Sequence, residues 1–207
     1  MRRLALVFAL AFPLPASADC AADVAALFQG GPLDPFERPN RREVTMLHSH
    51  DGPVTQVSDV LWDGVTRSIN CTETLCAMQV GTEMWIKPQG MDDWMSAPSQ
   101  LPEDPETFAR AIADDMAANL SEAECLGPNV LDGRDVSVFR YRTKTNPNEF
   151  DAWFGGLFNA FIAADTGQLI RLEELESVSS FAPEPGLDLR VTDITYDDSI
   201  SISEPEG

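Results

Sequence analysis

The stretch Phe161-Ile162-Ala163-Ala164-Asp165-Thr166-Gly167-Gln168-Leu169-Ile170-Arg171-Leu172-Glu173 reads as two strands folded back around a tight turn. Asp165-Thr166-Gly167 supplies the turn: the short polar side chain bonds nearby backbone, and glycine takes the positive φ such turns demand. The first arm extends back over residues 152–163, which hold Trp153, Phe154, Phe158, Phe161 and Ile162. Gly155-Gly156 marks a bulge or bend in it. The second arm runs over residues 169–176. A lone hairpin is barely stable in water, so other strands must flank this one.

Those strands are legible on both sides. Residues 136–142 alternate Val136, Val138 and Arg140 against Ser137, Phe139 and Tyr141, and Asn146-Pro147-Asn148 turns into the first arm. Residues 187–196 and 199–202 read as closing strands. Nearer the N-terminus, Val44, Met46 and His48 alternate with Thr45, Leu47 and Ser49. Asp51-Gly52 and Asp63-Gly64 are hairpin turn signals that set off strands over 54–62 and 65–70. Residues 75–80 and 83–87 form a further hairpin around Gly81-Thr82, and a short piece starting at Trp94 ends at Pro98.

Two segments break the two-residue period. Residues 21–28 place Val24, Leu27 and Phe28 on one helical face, and Gly30-Gly31-Pro32 stops that helix. Asp104, Pro105 and Glu106 form a helix start, followed by Phe108, Ala111, Ile112, Met116 and Leu120 at helical spacing. Ser121-Glu122-Ala123-Glu124 reads as a capping box for one more short helical turn, ended by Gly127-Pro128. The sum is an α+β fold: a curved antiparallel sheet of about eight to ten strands, with helices covering one face.

Composition narrows the class. The chain has 207 residues, 34 Asp+Glu against 14 Lys+Arg, and a formal net charge of −20. An apolar content of 43% is that of a packed domain, not a disordered chain. Charge of this sign repels phosphates, so no nucleic acid is expected as partner. It also disfavours an anionic membrane surface. No apolar run long enough to span a bilayer occurs beyond the N-terminus.

The N-terminus reads as an export signal: Met1-Arg2-Arg3, an apolar run from Leu4 to Pro15, then Ala16-Ser17-Ala18 before a cut after Ala18. Residues 19–207 are then a single domain. Asp19 precedes Cys20 where a lipid-modified cysteine needs a small neutral neighbour, so a periplasmic protein without a lipid anchor is expected. Export permits disulfides. Four cysteines allow three pairings. Cys71 and Cys76 lie close enough in sequence for a local bridge, which leaves Cys20 with Cys125.

The order of these elements is similar to that of the periplasmic lipoprotein-carrier superfamily, the LolA-like half-barrels. The hairpin 161–173 resembles that family's strand, D-x-x-T-G-type turn and returning strand. The ending Thr195-Tyr196-Asp197-Asp198-Ser199-Ile200-Ser201-Ile202 is like the final strand of related periplasmic proteins. The resemblance implies a half-barrel whose apolar concave face leaves a slot for a lipid or a lipoprotein acyl chain, in a protein that works as a monomeric carrier without cofactor. The slot residues it suggests are Met46, Trp62, Trp85, Phe108, Ile112, Phe139, Phe158 and Ile162. The same positions also suit an ordinary core, and adjacent strand residues such as Leu61 and Trp62 cannot both face inward.

Two other readings stand beside it. His48, His50 and Asp51 form an H-x-H-D pattern in which i and i+2 imidazoles on a strand reach one metal ion. Met84, Met91 and Met95 occur in one short stretch with Trp85 and Trp94, and thioethers suit Cu(I). The other reading is an interaction module without a small ligand. No G-x-S-x-G elbow is present and the cysteines are committed to bridges, so no enzyme is expected.

Overall fold

The computed structural model describes residues 20–99 and 102–205. The export signal expected over residues 1–18 lies outside them. The described residues form two helices, α1 (Cys20–Phe28) and α2 (Pro105–Ala118). The first six strands are β1 (Arg41–His48), β2 (Val54–Trp62), β3 (Arg67–Cys71), β4 (Leu75–Val80), β5 (Glu83–Pro88) and β6 (Met95–Ala97). After α2 come β7 (Ser121–Leu131), β8 (Arg134–Lys144), β9 (Phe154–Ala163), β10 (Leu169–Glu174), β11 (Val178–Ser179) and β12 (Leu189–Tyr196).

All pair antiparallel in one open curved sheet of order β6-β5-β4-β3-β2-β1-β12-β10-β9-β8-β7, with β11 beside β9. The described residues hold twelve strands, above the eight to ten expected. The sheet is two meanders, β1–β6 and β7–β10, and β12 joins them by pairing with β1 on one edge and β10 on the other.

Three local readings are corrected. Residues 121–131 are a strand, not a helical turn. Two bulges in β7 absorb the positive φ of Glu122 (50°) and Gly127 (81°). A two-residue turn with φ positive at both Asp132 and Gly133 then returns the chain into β8, the geometry that Asp-Gly favours. Cys125 therefore sits on a strand rather than at a helix end. Residues 199–202 are not a strand. They are tied down individually: Asn40 donates to the Ile200 carbonyl and Asp63 accepts from the Ile202 N–H. The second arm of the central hairpin stops at Glu174, where Leu175 turns to donate to Leu157.

The expected turn at 165–167 is present, with Gly167 at φ 70° and its N–H donating to the Ala163 carbonyl. The N-cap of α2 is also as read. Asp104 accepts from the Thr107 N–H at 3.0 Å and from its hydroxyl at 2.7 Å.

Directly opposed residues of antiparallel strands share a face. On one face Tyr141 and Phe158, Phe139 and Ala160, and Ser137 and Ile162 lie opposite each other. Val24 and Phe28 of α1 pack there, with Leu169 and Ile194 completing a buried cluster. Phe28 meets Tyr141 edge-on at 5.5 Å, and Tyr141 stacks on Phe158 at 5.6 Å. Both expected disulfides are formed. Cys20–Cys125 bolts the start of α1 to β7, and Cys71–Cys76 joins opposed residues of β3 and β4.

The segment between α1 and β1 holds the two helices together through buried Asp34. Its carboxylate accepts from the Gly30 and Phe36 N–H groups and from Arg110 of α2 at 2.9 Å. Arg110 lies 4.0 Å over the Phe36 ring. Burial alone raises the Asp34 pKa, but these donors outweigh it and hold the carboxyl below its ordinary value.

Candidate functional site

The eight slot residues suggested by sequence do not share one surface. Met46 opposes Val191, which opposes Glu173, and Trp85 opposes Met78 and so shares its face with Ile69 and Leu61. Both lie on the face away from the helices. Trp62, Phe139, Phe158 and Ile162 lie on the helical face. Phe158 and Ile162 are buried in the core cluster, with Phe139 packed against it.

The hollow at the centre of that face, about 250 Å³, is lined by Val57, Phe158 and Leu172 together with Thr45, Ser58, Glu174, Arg190 and Thr192. Thr45 and Thr192 hydrogen bond across it at 2.9 Å, and Arg190 reaches Glu174 at 3.5 Å. Its lining is mixed, apolar and polar.

Phe108 and Ile112 are brought together, on α2, at a different place. They form one wall of an apolar pocket of about 290 Å³ between α2 and the β8–β9 loop. Trp153, Phe154 and Phe181 form the facing wall. Three of these rings are substantially open to solvent: Phe108 is 43% exposed, Phe154 53% and Phe181 88%.

The loop that builds the pocket uses its polar groups on itself. Asn148 accepts from the Phe150 and Ala152 N–H groups, and its own N–H donates to the Ala152 carbonyl. Asp115 of α2 accepts from the Asn146 N–H at 3.0 Å and from its side-chain amide, so the loop is tied to the helix. Asn119 adds donations to the Lys144 carbonyl and to Asn146. Trp153 is held by the 177–181 segment, where the Ser180 N–H donates to the Trp153 carbonyl at 3.0 Å.

Gly155 lets β9 begin so close to β8. A Cβ there would lie 2.3 Å from the Thr143 carbonyl oxygen. What remains facing the cavity is mostly hydrocarbon, with the Lys144 ammonium 5.0 Å over the Trp153 ring. The polar part of the lining comes from Asp115, Thr145, Asn146, Asn148 and Ser179.

Sequence reading found the α2 wall because Phe108 and Ile112 repeat at helical spacing. It noted Trp153 and Phe154 as strand residues and did not read Phe181. Nothing periodic marks the facing wall, which is assembled by loop hydrogen bonds.

The metal reading finds less support in the geometry. β1 ends at His48, whose strand partners are Val54 and Leu189, so His50 lies past the strand and the i, i+2 argument lapses. His50 and Asp51 approach at 3.8 Å, both exposed. No cluster of three or more His, Cys, Asp or Glu side chains suited to a metal occurs among the described residues. No described helix is long and apolar enough to cross a membrane.

With this architecture in view, the chain is similar in structure to lipoprotein LppX from Mycobacterium tuberculosis. The two share 12% identity over 90% of this chain and 100% of that one, with a TM-score of 0.54. LprF from Mycobacterium bovis is similar at 12% identity, 90% and 98% coverage and a TM-score of 0.51. A LolA-superfamily protein from Nitrosomonas europaea aligns at 11% identity over 86% of this chain and 92% of that one, with a TM-score of 0.32. No family model and no curated protein matches the chain. The likeness is one of fold: an open, curved antiparallel sheet with helices on one face, as the LolA-like resemblance implied.

Proposed function

We propose that the protein is an exported binding or carrier protein that holds one acyl chain, of a lipid or a lipoprotein, in the pocket between α2 and the β8–β9 loop. The observation that carries this reading is the pocket itself: five apolar side chains from α2, the β8–β9 loop and the 177–181 segment, left open to solvent in a chain of net charge −20. Exposed apolar surface of this kind is tolerated where something covers it. The two disulfides and the signal-like N-terminus support a periplasmic location, and the shared fold with the mycobacterial lipoprotein LppX supports the class.

Size decides how much of a ligand enters. About 290 Å³ is just below the roughly 300–1,000 Å³ of small-molecule sites, so the pocket takes one chain or its end, not a multi-chain lipid. Each buried methylene contributes about 0.8 kcal/mol, close to fourfold in Kd.

A titration with lysophosphatidylcholines of increasing chain length, below micelle formation, tests this. Affinity rises by about fourfold per methylene and levels off when the pocket is full. Phe108→Asp removes binding while thermal unfolding stays nearly unchanged, because Phe108 is already 43% exposed. Affinity indifferent to chain length, or undiminished in Phe108→Asp, contradicts the proposal.

A further inference from the structure

A second cavity, about 260 Å³, lies between the loop after α1 and the β9–β10 turn, with Gly30, Gly31, Arg38, Thr166, Gln168 and Tyr196 in its wall. Beside it two arginines share one acid. Glu43 Oε1 accepts from Arg38 Nη2 at 2.5 Å and from Arg41 Nε at 2.7 Å. Arg41 is buried, at 3% exposure, and Arg38 and Glu43 are mostly enclosed, at 14% and 17%. Arg38 Nε and Arg41 Nη1 are shut from solvent and have no acceptor among the described residues. Arg41 lies over the Trp62 ring at 5.0 Å, which offers it no full negative charge.

Most other described arginines are paired more fully, although Arg140 has only the neutral Asn159 Oδ1 as acceptor. Arg42, Arg67, Arg110, Arg134, Arg142, Arg171 and Arg190 each have at least one carboxylate of their own. Acids are not scarce, at 34 in the chain. Yet here one positive charge stays uncompensated in the interior, where an unpaired ion is strongly unfavourable. Two guanidinium N–H groups without acceptors add to the imbalance.

We propose that this cavity binds a small free oxyanion, phosphate, sulfate or carboxylate, with Arg38 as the residue that holds it and the Arg38–Arg41 pair as the source of attraction. The planar guanidinium suits oxyanions in particular. Glu37, the one acid in the wall, is exposed, and solvent screens its repulsion. The site is separate from the acyl pocket, because the two lie at opposite ends of β9, ten residues or roughly 30 Å apart. A single ligand does not fill both.

Thermal unfolding of the full chain in sodium phosphate, sulfate and acetate, each against sodium chloride at matched ionic strength, tests the inference. At ten times its Kd, a bound oxyanion raises Tm by roughly 3–5 °C. Arg38→Gln abolishes that shift. Gln168→Glu, which leaves the Arg38–Glu43 contact intact, weakens the anion at least tenfold even if Arg38→Gln fails to fold. Equal shifts in chloride, or an anion response unchanged in Gln168→Glu, overturn the proposal. Alkyl phosphates binding no tighter than inorganic phosphate supports a free anion. Affinity that grows with alkyl length and vanishes in Phe108→Asp assigns the anion to the acyl pocket and also overturns it. Failure of either proposal leaves the other standing.

Discussion

The two meanders of this sheet use similar strands to different ends. β8–β10, with β12, carry Tyr141, Phe158, Ala160, Ile162, Leu169 and Ile194 buried on the α1 face, and Val136, Val138 and Ala163 buried on the opposite face. In β1–β6 the only described buried apolar residue is Met78. The difference is cover. Helix α1 seals one face of the first group, and nothing comparable packs on β2–β6, where the same face presents Ser68, Asn70 and Gln79. One sheet thus holds a core at one end and a thin two-sided ladder at the other. The acyl pocket belongs to the packed end, at its rim, where α2 leaves the sheet.

The disulfides sharpen this contrast most. In the chain-entropy view a bridge stabilises by the loop it closes. Cys20–Cys125 spans 105 residues and Cys71–Cys76 spans 5. Replacing the first pair by serine costs about 5 kcal/mol and the second about 2, read from urea unfolding. Equal losses break the account of a packed end anchored by α1.

Side-chain truncation gives the next largest difference. Phe158→Ala costs about 3–5 kcal/mol, because Phe158 is enclosed in the core cluster. Trp85→Ala, a larger deletion on the uncovered meander, costs less than about 2 kcal/mol, because Trp85 is only half-buried. A reversed order in the same unfolding measurement contradicts the asymmetry.

A third prediction tests the joint between the two ends. Glu43→Gln leaves Arg38 and Arg41 without their carboxylate and costs about 3 kcal/mol. Burial alone raises the Glu43 pKa, but Arg38 and Arg41 outweigh it and hold the carboxyl below its ordinary value. Asp34 is depressed likewise. A depressed carboxylate adds stability that is full above its unfolded pKa, about 4, and is lost as pH falls through the lower folded value. The wild type therefore loses more stability on acidification than Glu43→Gln, and parallel pH profiles refute that assignment.

The N-terminal hairpins were legible because alternation and Asp-Gly turns are local signals. Helix α2 was legible from Asp104, Pro105 and the Phe108–Ile112 spacing. Strand β7 was not, since Ser121-Glu122-Ala123-Glu124 imitates a capping box and its bulges spoil the alternation. The decisive clue was Asp132-Gly133, the same turn signal as at 51–52 and 63–64. The site was half legible. Its helical wall follows a period, whereas Trp153 and Phe181 are brought together by hydrogen bonds of Asn148, Asp115 and Ser180 that no period reveals. The Arg38–Arg41–Glu43 cluster was unread because only the sheet register and the connector bring Arg38 onto Glu43.

The central claim is that an acyl chain enters beside Trp153 rather than along the meander that carries Trp62 and Trp85. Quenching of tryptophan fluorescence by a chain brominated near its methyl end tests this directly, in the wild type and in single Trp→Phe variants at residues 62, 85, 94 and 153. The account predicts strong quenching in the wild type that disappears in Trp153→Phe alone. Quenching that survives in Trp153→Phe and is lost in Trp62→Phe or Trp85→Phe contradicts it.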